Sequence, residues 1–343
     1  MTSLEATGNP HDKLFREVFQ DKDAARDFLV NYLPADVLSV MDMNTIEIAK
    51  DSFIADDLKE FYSDLLYTVQ VAGEAGFVYI LFEHKSYKDE PAPLQLLEYM
   101  VRIWRLHLKQ NQSKGLPLPI ILPILLYHGK ETWRSDPRFL SLFSCPVEAM
   151  RRFIPDFDLV FFDLARYQDK EIKGTILTRV ALLLFKHIFD MDIKDRLPEI
   201  FSLLEAILKE KSGMKILEIL LRYLFSAIDD ITVLDIKTMV ETSLTGVKGD
   251  SVMTLAEQLR NEGFQQGIQQ GEINGLLKGK LEGKLEGMLE GIEMAVYLKF
   301  GAGHESQNLV VAIRRINDLD TIKRVKTALM EAKAISDVYR VLS

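Results

Sequence analysis

The chain lacks the residues on which disulfide-stapled and zinc-caged folds depend. Its one cysteine, Cys145, has no partner for an internal disulfide and cannot supply the several thiolates of a cysteine zinc site. So little cysteine is typical of the reducing cytoplasm, and we expect a cytoplasmic protein.

Long apolar segments and an excess of positive charge are missing as well. No stretch reaches roughly 18 uncharged apolar residues, so we expect no membrane span, and the N-terminal residues have neither the basic nor the apolar region of a secretory signal. The 42 basic residues are outnumbered by 51 acidic ones, which gives a formal net charge of −9. Since nonspecific binding of nucleic acid requires a basic protein, DNA binding here would need a local basic surface and a metal ion.

What the chain does have is alternating helical and strand patterns in its first half. Helices are predicted within residues 9–33 and 94–110, a β-hairpin from 64–71 and 77–86, and buried strands at 119–129 and 157–164. A helix placed between strands favours an α/β fold with a mixed sheet flanked by helices. Because the rest of the chain is leucine-rich and helical, we predict an all-helical C-terminal region after this sheet.

Three regions follow from these patterns: a sheet domain at 9–165, a helical lobe at 166–258, and a C-terminal segment at 259–343. The last segment has a glycine at every fourth position from Gly263 to Gly291. Eight glycines inside a helix cost about 6–8 kcal/mol relative to alanine. Either close helix–helix packing offsets this cost or the segment is a semi-flexible tether, and we expect it to mediate self-association into a homo-oligomer.

The predicted hairpin brings three charged residues to one face of the sheet. A two- or four-residue loop pairs residues whose numbers sum to 149, so Asp64 would lie opposite Lys85. Because opposed residues and alternate residues share a face, Asp64, Glu83 and Lys85 would project together. A three-residue loop would instead place Asp64 on the other face.

Such a set of side chains suits the hydrolysis of a phosphodiester. Two carboxylates with backbone and water oxygens are typical ligands of Mg²⁺, with Mn²⁺ or Ca²⁺ as alternatives. A neighbouring ammonium can orient a water molecule and stabilise developing negative charge. The competing interpretation of Asp64 is a carboxylate that caps a turn or pairs with a surface lysine.

The pattern D-x(18)-E-x-K resembles the active-site signature of the PD-(D/E)XK nuclease superfamily. The wider segments HDKLFREVFQDKDAARDFLVNYLP, SDLLYTVQV, FVYILFEHKS, LLEYMVRIW and LPIILPILLYHG are similar to the recombination-promoting nuclease family, which is also classed with transposases. The resemblance runs from about residue 9 to 164 and continues loosely into the glycine segment. It implies a restriction-endonuclease-like core and an Mg²⁺-dependent DNA endonuclease that is linked to recombination or mobile elements.

The resemblance also implies roles for individual residues. Asp64, Glu83 and Lys85 would be catalytic, with Asp64, Glu83 and the backbone carbonyl of His84 as metal ligands. An acidic residue on the first helix often assists, and the choice here is Asp12 first and Glu17 second. Ser63 stands where the superfamily has the proline of its "PD" pair, a common departure.

Other polar residues admit two interpretations each. Arg102, Arg105 and Lys109 form a stripe on the predicted helix 94–110 that is either a solvated face or a contact to the DNA backbone. Tyr127-His128-Gly129 ends a predicted strand and either contacts DNA or makes a turn. His11 and His84 are interpreted as structural.

The function that we predict from the sequence is a metal-dependent DNA endonuclease. The alternative is a non-catalytic factor that binds DNA or protein and keeps the nuclease fold. The presence of Asp64, Glu83 and Lys85 favours the enzyme, whereas the acidic net charge favours the alternative.

Overall fold

The structure is a computed structural model, and it describes residues 9–49, 65–83, 91–110, 117–134, 136–143, 148–208, 211–244, 249–316 and 318–342. By its internal contacts the chain divides into two compact units, Met1–Arg260 and Asn261–Ser343. The division of the first unit into a sheet domain and a helical lobe stays a prediction.

The described residues of the first unit form five strands in one mixed sheet. The strands are β1 (Met41–Ile48), β2 (Leu65–Val71), β3 (Glu74–Glu83), β4 (Ile120–Tyr127) and β5 (Val160–Asp163). They lie side by side in sequence order. The pairs β1–β2 and β2–β3 are antiparallel, whereas β3–β4 and β4–β5 are parallel.

Helices occupy most of the remaining described chain. In the first unit they are α1 (Pro10–Phe19), α2 (Lys22–Tyr32), α3 (Ala35–Ser39), α4 (Ala92–Gln110), α5 (Glu148–Arg151), α6 (Ile176–His187), α7 (Ile193–Ser202), α8 (Lys211–Ala227) and α9 (Val233–Ser243). The helix α10 (Gly249–Phe300) crosses the boundary between the units, and α11 (His304–Ile313), α12 (Leu319–Glu331) and α13 (Ile335–Leu342) complete the second. The predicted mixed sheet with flanking helices and a helical C-terminal region is therefore confirmed.

The hairpin β2–β3 forms as predicted, but its register is different. Val71 pairs with Glu74 and Leu65 with Ile80, so paired numbers sum to 145 rather than 149. The turn is Ala72-Gly73, and both residues have positive φ, 51° and 85°, as a two-residue type I′ turn requires. The predicted turn at Glu74-Ala75 is wrong, because those residues are the first two of β3.

Each face of the sheet packs into a separate hydrophobic cluster. Tyr67, Val78 and Leu126 pack in the larger one, which also contains side chains of α1, α2, α6 and α8. Tyr79 and Leu125 pack on the other face against α4. Sheet and leucine-rich helices thus share one core, as the apolar runs of both indicate.

The glycine segment lies within one long helix, α10. A methyl group added at any of the eight glycines from Gly263 to Gly291 would meet no heavy atom within 4 Å. Leu276 and Leu281 in the same segment are exposed. Further along, Ile292 and Val296 pack with α11 and α12 in the core of the second unit. None of the helices in the described ranges is long and apolar enough to cross a membrane.

Candidate active site

The candidate site lies at the carboxyl edge of the sheet, which we define as the edge where β3, β4 and β5 end. Glu83 is the last residue of β3 and pairs with Tyr127, the last of β4. Tyr127 pairs in turn with Asp163, the last of β5. Positions 83, 127 and 163 therefore form one row across three parallel strands, at the edge where open α/β sheets bind their ligands.

The structure tests little of the predicted catalytic set. Asp64, His84 and Lys85 lie outside the described residues, and Glu83 is described by its backbone alone. The four-residue shift in register keeps the alternation of faces that the prediction used. The pairing of Asp64 with Lys85, however, does not follow from the observed register.

Helix α1 packs on the face of the sheet that carries Tyr67 and Val78, and its first turn lies at the carboxyl edge. The ring of His11, in its first turn, lies 5.0 Å from the ring of His128, which directly follows β4. Nδ1 of His11 lies 2.9 Å from the hydroxyl of Tyr223 on α8, and burial raises the pKa of that tyrosine. Asp12, the predicted assisting acid, is the next residue of α1 and is half-buried.

Glu17, the second choice for the assisting acid, has a different environment. It lies one and a half turns further along α1, where Arg222 and Glu218 of α8 influence its charge. Partial burial raises the pKa of Glu17, while the positive charge of Arg222 opposes that rise. Of the two acids, Asp12 is the one adjacent to the histidine that contacts the carboxyl edge.

The sequence Tyr127-His128-Gly129 builds this edge. The Tyr127 hydroxyl donates to the carbonyl of Glu131 at 2.8 Å, and a methyl group on Gly129 would lie 1.8 Å from that hydroxyl oxygen. The His128 ring is buried, with Nδ1 3.2 Å from the carbonyl oxygen of Phe185. Because only 1% of His128 is exposed, its side chain does not offer a surface to DNA.

Asp163 is a buried carboxylate that the sequence interpretation missed. It is 3% exposed and accepts hydrogen bonds from the backbone N–H of Trp133 at 2.9 Å and of Ala165 at 3.1 Å. Nε of Arg166 donates to the same carboxylate at 3.1 Å, and Nη2 donates to the Trp133 carbonyl. These contacts fix the chain that leaves β5, and the signal for them was a charged residue ending an apolar strand.

The predicted basic stripe lies on α4, as expected, but its three cations are not equivalent. Arg102 makes an ion pair with Glu98 one turn earlier and lies over the ring of Tyr99 at 5.8 Å. Arg105 and Lys109 are exposed. Because the Glu98 carboxylate offsets the charge of Arg102, the positive surface of this helix is concentrated at Arg105 and Lys109.

A cavity of about 670 Å³ opens beside β5, and we call it the β5-edge pocket. Its walls are Asn31 and Tyr32 at the end of α2, Phe161 and Asp163 of β5, and Arg166, Tyr167, Lys170, Glu171 and Lys173 of the following segment. Partial burial raises the pKa of the Tyr32 and Tyr167 hydroxyls. No local sequence pattern indicates this pocket, since its walls come from segments more than a hundred residues apart.

No described cluster of three or more His, Cys, Asp or Glu side chains could hold a metal ion. Of the predicted ligands, Asp12 has a described side chain, whereas Asp64, Glu83 and His84 do not. Two carboxylates and a backbone carbonyl are the donors that Mg²⁺ prefers, so the chemistry of the predicted set fits the metal.

The family of the chain follows from comparison with known proteins. The model of the family "Putative transposase, YhgA-like" matches residues 9–215. This chain belongs to that family. The match includes the whole sheet, the carboxyl edge and the helices α6 and α7.

Relatives of the chain are named as recombination-promoting nucleases, and some are named as inactive nuclease-like proteins. Recombination-promoting nuclease RpnA of Escherichia coli (strain K12) is 31% identical over 77% of this chain and 87% of the relative. RpnD of Escherichia coli O157:H7 is 27% identical over 75% of this chain and 96% of the relative. The "Inactive recombination-promoting nuclease-like protein RpnE" of strain K12 is 29% identical over 76% of this chain and 84% of the relative. No solved structure matches significantly.

Proposed function

We propose that the protein is an Mg²⁺-dependent DNA endonuclease linked to recombination or mobile elements. The observation that carries the proposal is the strand register, which ends β3 at Glu83 beside the last residues of β4 and β5. Relatives named recombination-promoting nucleases cover most of the chain and support a nuclease. Parallel strands that end together form the crevice in which such sheets bind ligands.

The proposed mechanism uses the chain's own residues in three roles. Asp64, Glu83 and the His84 carbonyl would hold the metal, with Asp12 as a further ligand. Bound Mg²⁺ would supply Lewis acidity toward the scissile phosphodiester. Lys85 orients the attacking water, which adds to phosphorus as the bond to the leaving 3′ or 5′ oxygen breaks.

A plasmid-nicking assay tests this function. Wild-type protein is incubated with supercoiled plasmid with and without Mg²⁺, beside Glu83→Ala and the control Glu74→Ala. Glu74 begins the same strand, is exposed, and lies at the opposite edge of the sheet. We expect Mg²⁺-dependent nicking by the wild type and the control and at least 100-fold less by Glu83→Ala, since a metal ligand is lost. Equal nicking by both variants would reject the role of Glu83.

A second candidate is a DNA- or protein-binding factor that keeps the fold without catalysis. The specific observation in its favour is that a relative covering 76% of this chain is named inactive. Binding of plasmid without cleavage in Mg²⁺, Mn²⁺ or Ca²⁺ would support this candidate.

We also propose that α4 contacts the DNA backbone and that the second unit mediates self-association in the cytoplasm. Arg105 and Lys109 supply an exposed positive surface, and the double variant Arg105→Gln/Lys109→Gln should bind DNA more weakly.

For self-association, the support is the unpacked face of α10 with its exposed leucines. Light scattering after gel filtration should give an oligomer for the full chain and a monomer for a chain ending at Arg260.

A further inference from the structure

The charges of the β5-edge pocket are unequally satisfied within the protein. Its two carboxylates already accept backbone N–H groups: Asp163 those of Trp133 and Ala165, and Glu171 that of Gln168 at 2.7 Å. Among the described residues, no ion pair or hydrogen bond involves the ammonium group of Lys170 or of Lys173. Two exposed cations therefore border a cavity whose acids are occupied, in a chain whose net charge is −9.

The backbone around Lys173 is held in place by two side chains of α2. The Tyr32 hydroxyl accepts from the N–H of Lys173 at 2.8 Å and donates to its carbonyl at 3.2 Å. Two residues later, the N–H of Thr175 donates to Asp27 at 2.7 Å. The wall is therefore fixed before a ligand arrives, which lowers the entropic cost of binding.

The turn that contains Lys170 is anchored in the same way. Asp169, at the start of this 3₁₀ turn, makes an ion pair with Lys186 and lies 2.9 Å from Nε2 of His187. The Glu171 carboxylate closes the turn through its bond to Gln168. Lys170 is thus presented by a short segment that side chains of α6 hold.

The pocket lies close to the proposed catalytic row. Asp163 is two strands from Glu83 in that row, and neighbouring strands are about 4.8 Å apart, so the separation is about 10 Å. Successive phosphates of one DNA strand advance about 3.4 Å along the helix axis and also rotate around it, so they lie about 7 Å apart. A separation of about 10 Å therefore corresponds to between one and two nucleotides along a strand.

We propose that the β5-edge pocket binds the phosphate backbone of the cleaved DNA strand, within about two nucleotides of the scissile phosphodiester. Lys170 and Lys173 contact the phosphate, and Tyr167 lines the pocket beside it. This inference rests on the proposed function, because the distance is measured from the row that ends β3. It accounts for how a chain of acidic net charge would hold DNA beside its active site.

The experiment compares Lys170→Gln/Lys173→Gln with wild type and with the control Lys237→Gln, which removes an exposed lysine on α9. The affinity of each full-length protein for a fluorescent 30-base-pair duplex is measured in Ca²⁺ between 50 and 200 mM salt. Loss of two phosphate contacts should reduce the magnitude of the negative slope of log K against log salt by about 1.8. Binding at 0.1 M salt should weaken by up to about 60-fold. The control should match the wild type.

A neutral linkage in the DNA tests the predicted position. After the cut is mapped, a neutral tract that replaces the first two phosphates by methylphosphonates is placed on either side of it in turn. In one of the two placements it should weaken binding by the wild type and leave the double lysine variant unchanged. Equal weakening of both proteins in both placements would overturn the assignment.

The outcomes separate the pocket from the proposed function. If wild type nicks plasmid and the double variant has the salt slope of the control, the pocket proposal fails and the endonuclease stands. If the slope falls as expected but no protein nicks plasmid, the pocket binds DNA and catalysis is rejected. If wild type neither binds nor cuts DNA, both proposals fail.

Discussion

The two ends of strand β3 lie at edges of the sheet that are built differently. At the carboxyl edge, buried polar groups have partners: Asp163 binds Trp133 and Arg166, and His128 contacts Phe185. At the opposite edge, a tight turn precedes Glu74, and the apolar Ile120 is 60% exposed. This sheet thus places buried, hydrogen-bonded polar groups where its parallel strands end, and it reverses the chain where β3 begins.

The largest effect on stability is expected from Asp163→Ala. The substitution leaves the buried Trp133 N–H without its acceptor and Arg166 without its carboxylate, so unfolding free energy should fall by about 3 kcal/mol. Urea denaturation measures it, with Glu74→Ala as the control from the other edge, where a change within about 0.5 kcal/mol is expected. Equal losses in both variants would remove the distinction between the edges.

Gly129→Ala should have the next largest effect. Its added methyl would lie 1.8 Å from the Tyr127 hydroxyl oxygen and 2.2 Å from Cζ, so the buried ring must move, at a cost of about 1–3 kcal/mol. In the Tyr127→Ala background the same substitution should cost little. A cost that persists in that background would mean that another contact requires the glycine.

A smaller, pH-dependent effect is expected from Asp169→Asn near the β5-edge pocket. Partial burial raises the pKa of Asp169, but hydrogen bonds from Lys186 and His187 outweigh it, so the net pKa lies below the ordinary value of 3.8. A carboxyl whose folded pKa is lowered stabilises the protein above its unfolded pKa and loses that effect as pH falls through the folded value.

Because 45% of the Asp169 side chain is exposed, solvent screening limits the difference at neutral pH to about 1 kcal/mol. Thermal denaturation of Asp169→Asn and wild type from pH 7 to pH 3 measures it. The difference between the two proteins should begin to shrink below about pH 4, near the unfolded pKa, and should keep shrinking toward pH 3. A difference that stays constant over this range would contradict the assigned ion pair.

The smallest effect, and the only gain, is expected at the turn before β3. Ala72 has φ of 51°, which asparagine tolerates better than alanine, and Asn-Gly is the preferred pair for a type I′ turn. Ala72→Asn should therefore raise unfolding free energy by about 0.5–1 kcal/mol. A loss of stability in urea denaturation would show that the turn is not of this type.

Much of the fold could be predicted because its elements carry periodic apolar residues. The spacing of apolar residues in the long helix before β4 fits a helix, and the apolar runs of β3 and β4 fit buried strands. The register of the hairpin could not be predicted, since Gly73 and Gly76 offered two positions for the turn. The chain reverses at Ala72-Gly73, so an alanine adopts positive φ while Gly76 lies inside the strand.

The candidate site was predictable only in part. Glu83 was identified because a charged residue that ends an apolar strand is unusual. Asp163 and Lys173 were missed, since their roles depend on contacts with Trp133 and Tyr32, which lie 30 and 141 residues away in the sequence. The predicted roles of Asp64 and Lys85 stay predictions, as both residues lie outside the described parts of the chain.

Catalysis at the carboxyl edge is tested most directly by the rate of Mg²⁺-dependent plasmid nicking by two matched variants of β3, Glu83→Gln and Glu74→Gln. Each replaces a glutamate by its neutral isostere, one at each edge of the sheet. We expect Glu74→Gln to nick at the wild-type rate and Glu83→Gln to be slower by at least about 100-fold. Equal rates in the two variants would contradict catalysis at the carboxyl edge.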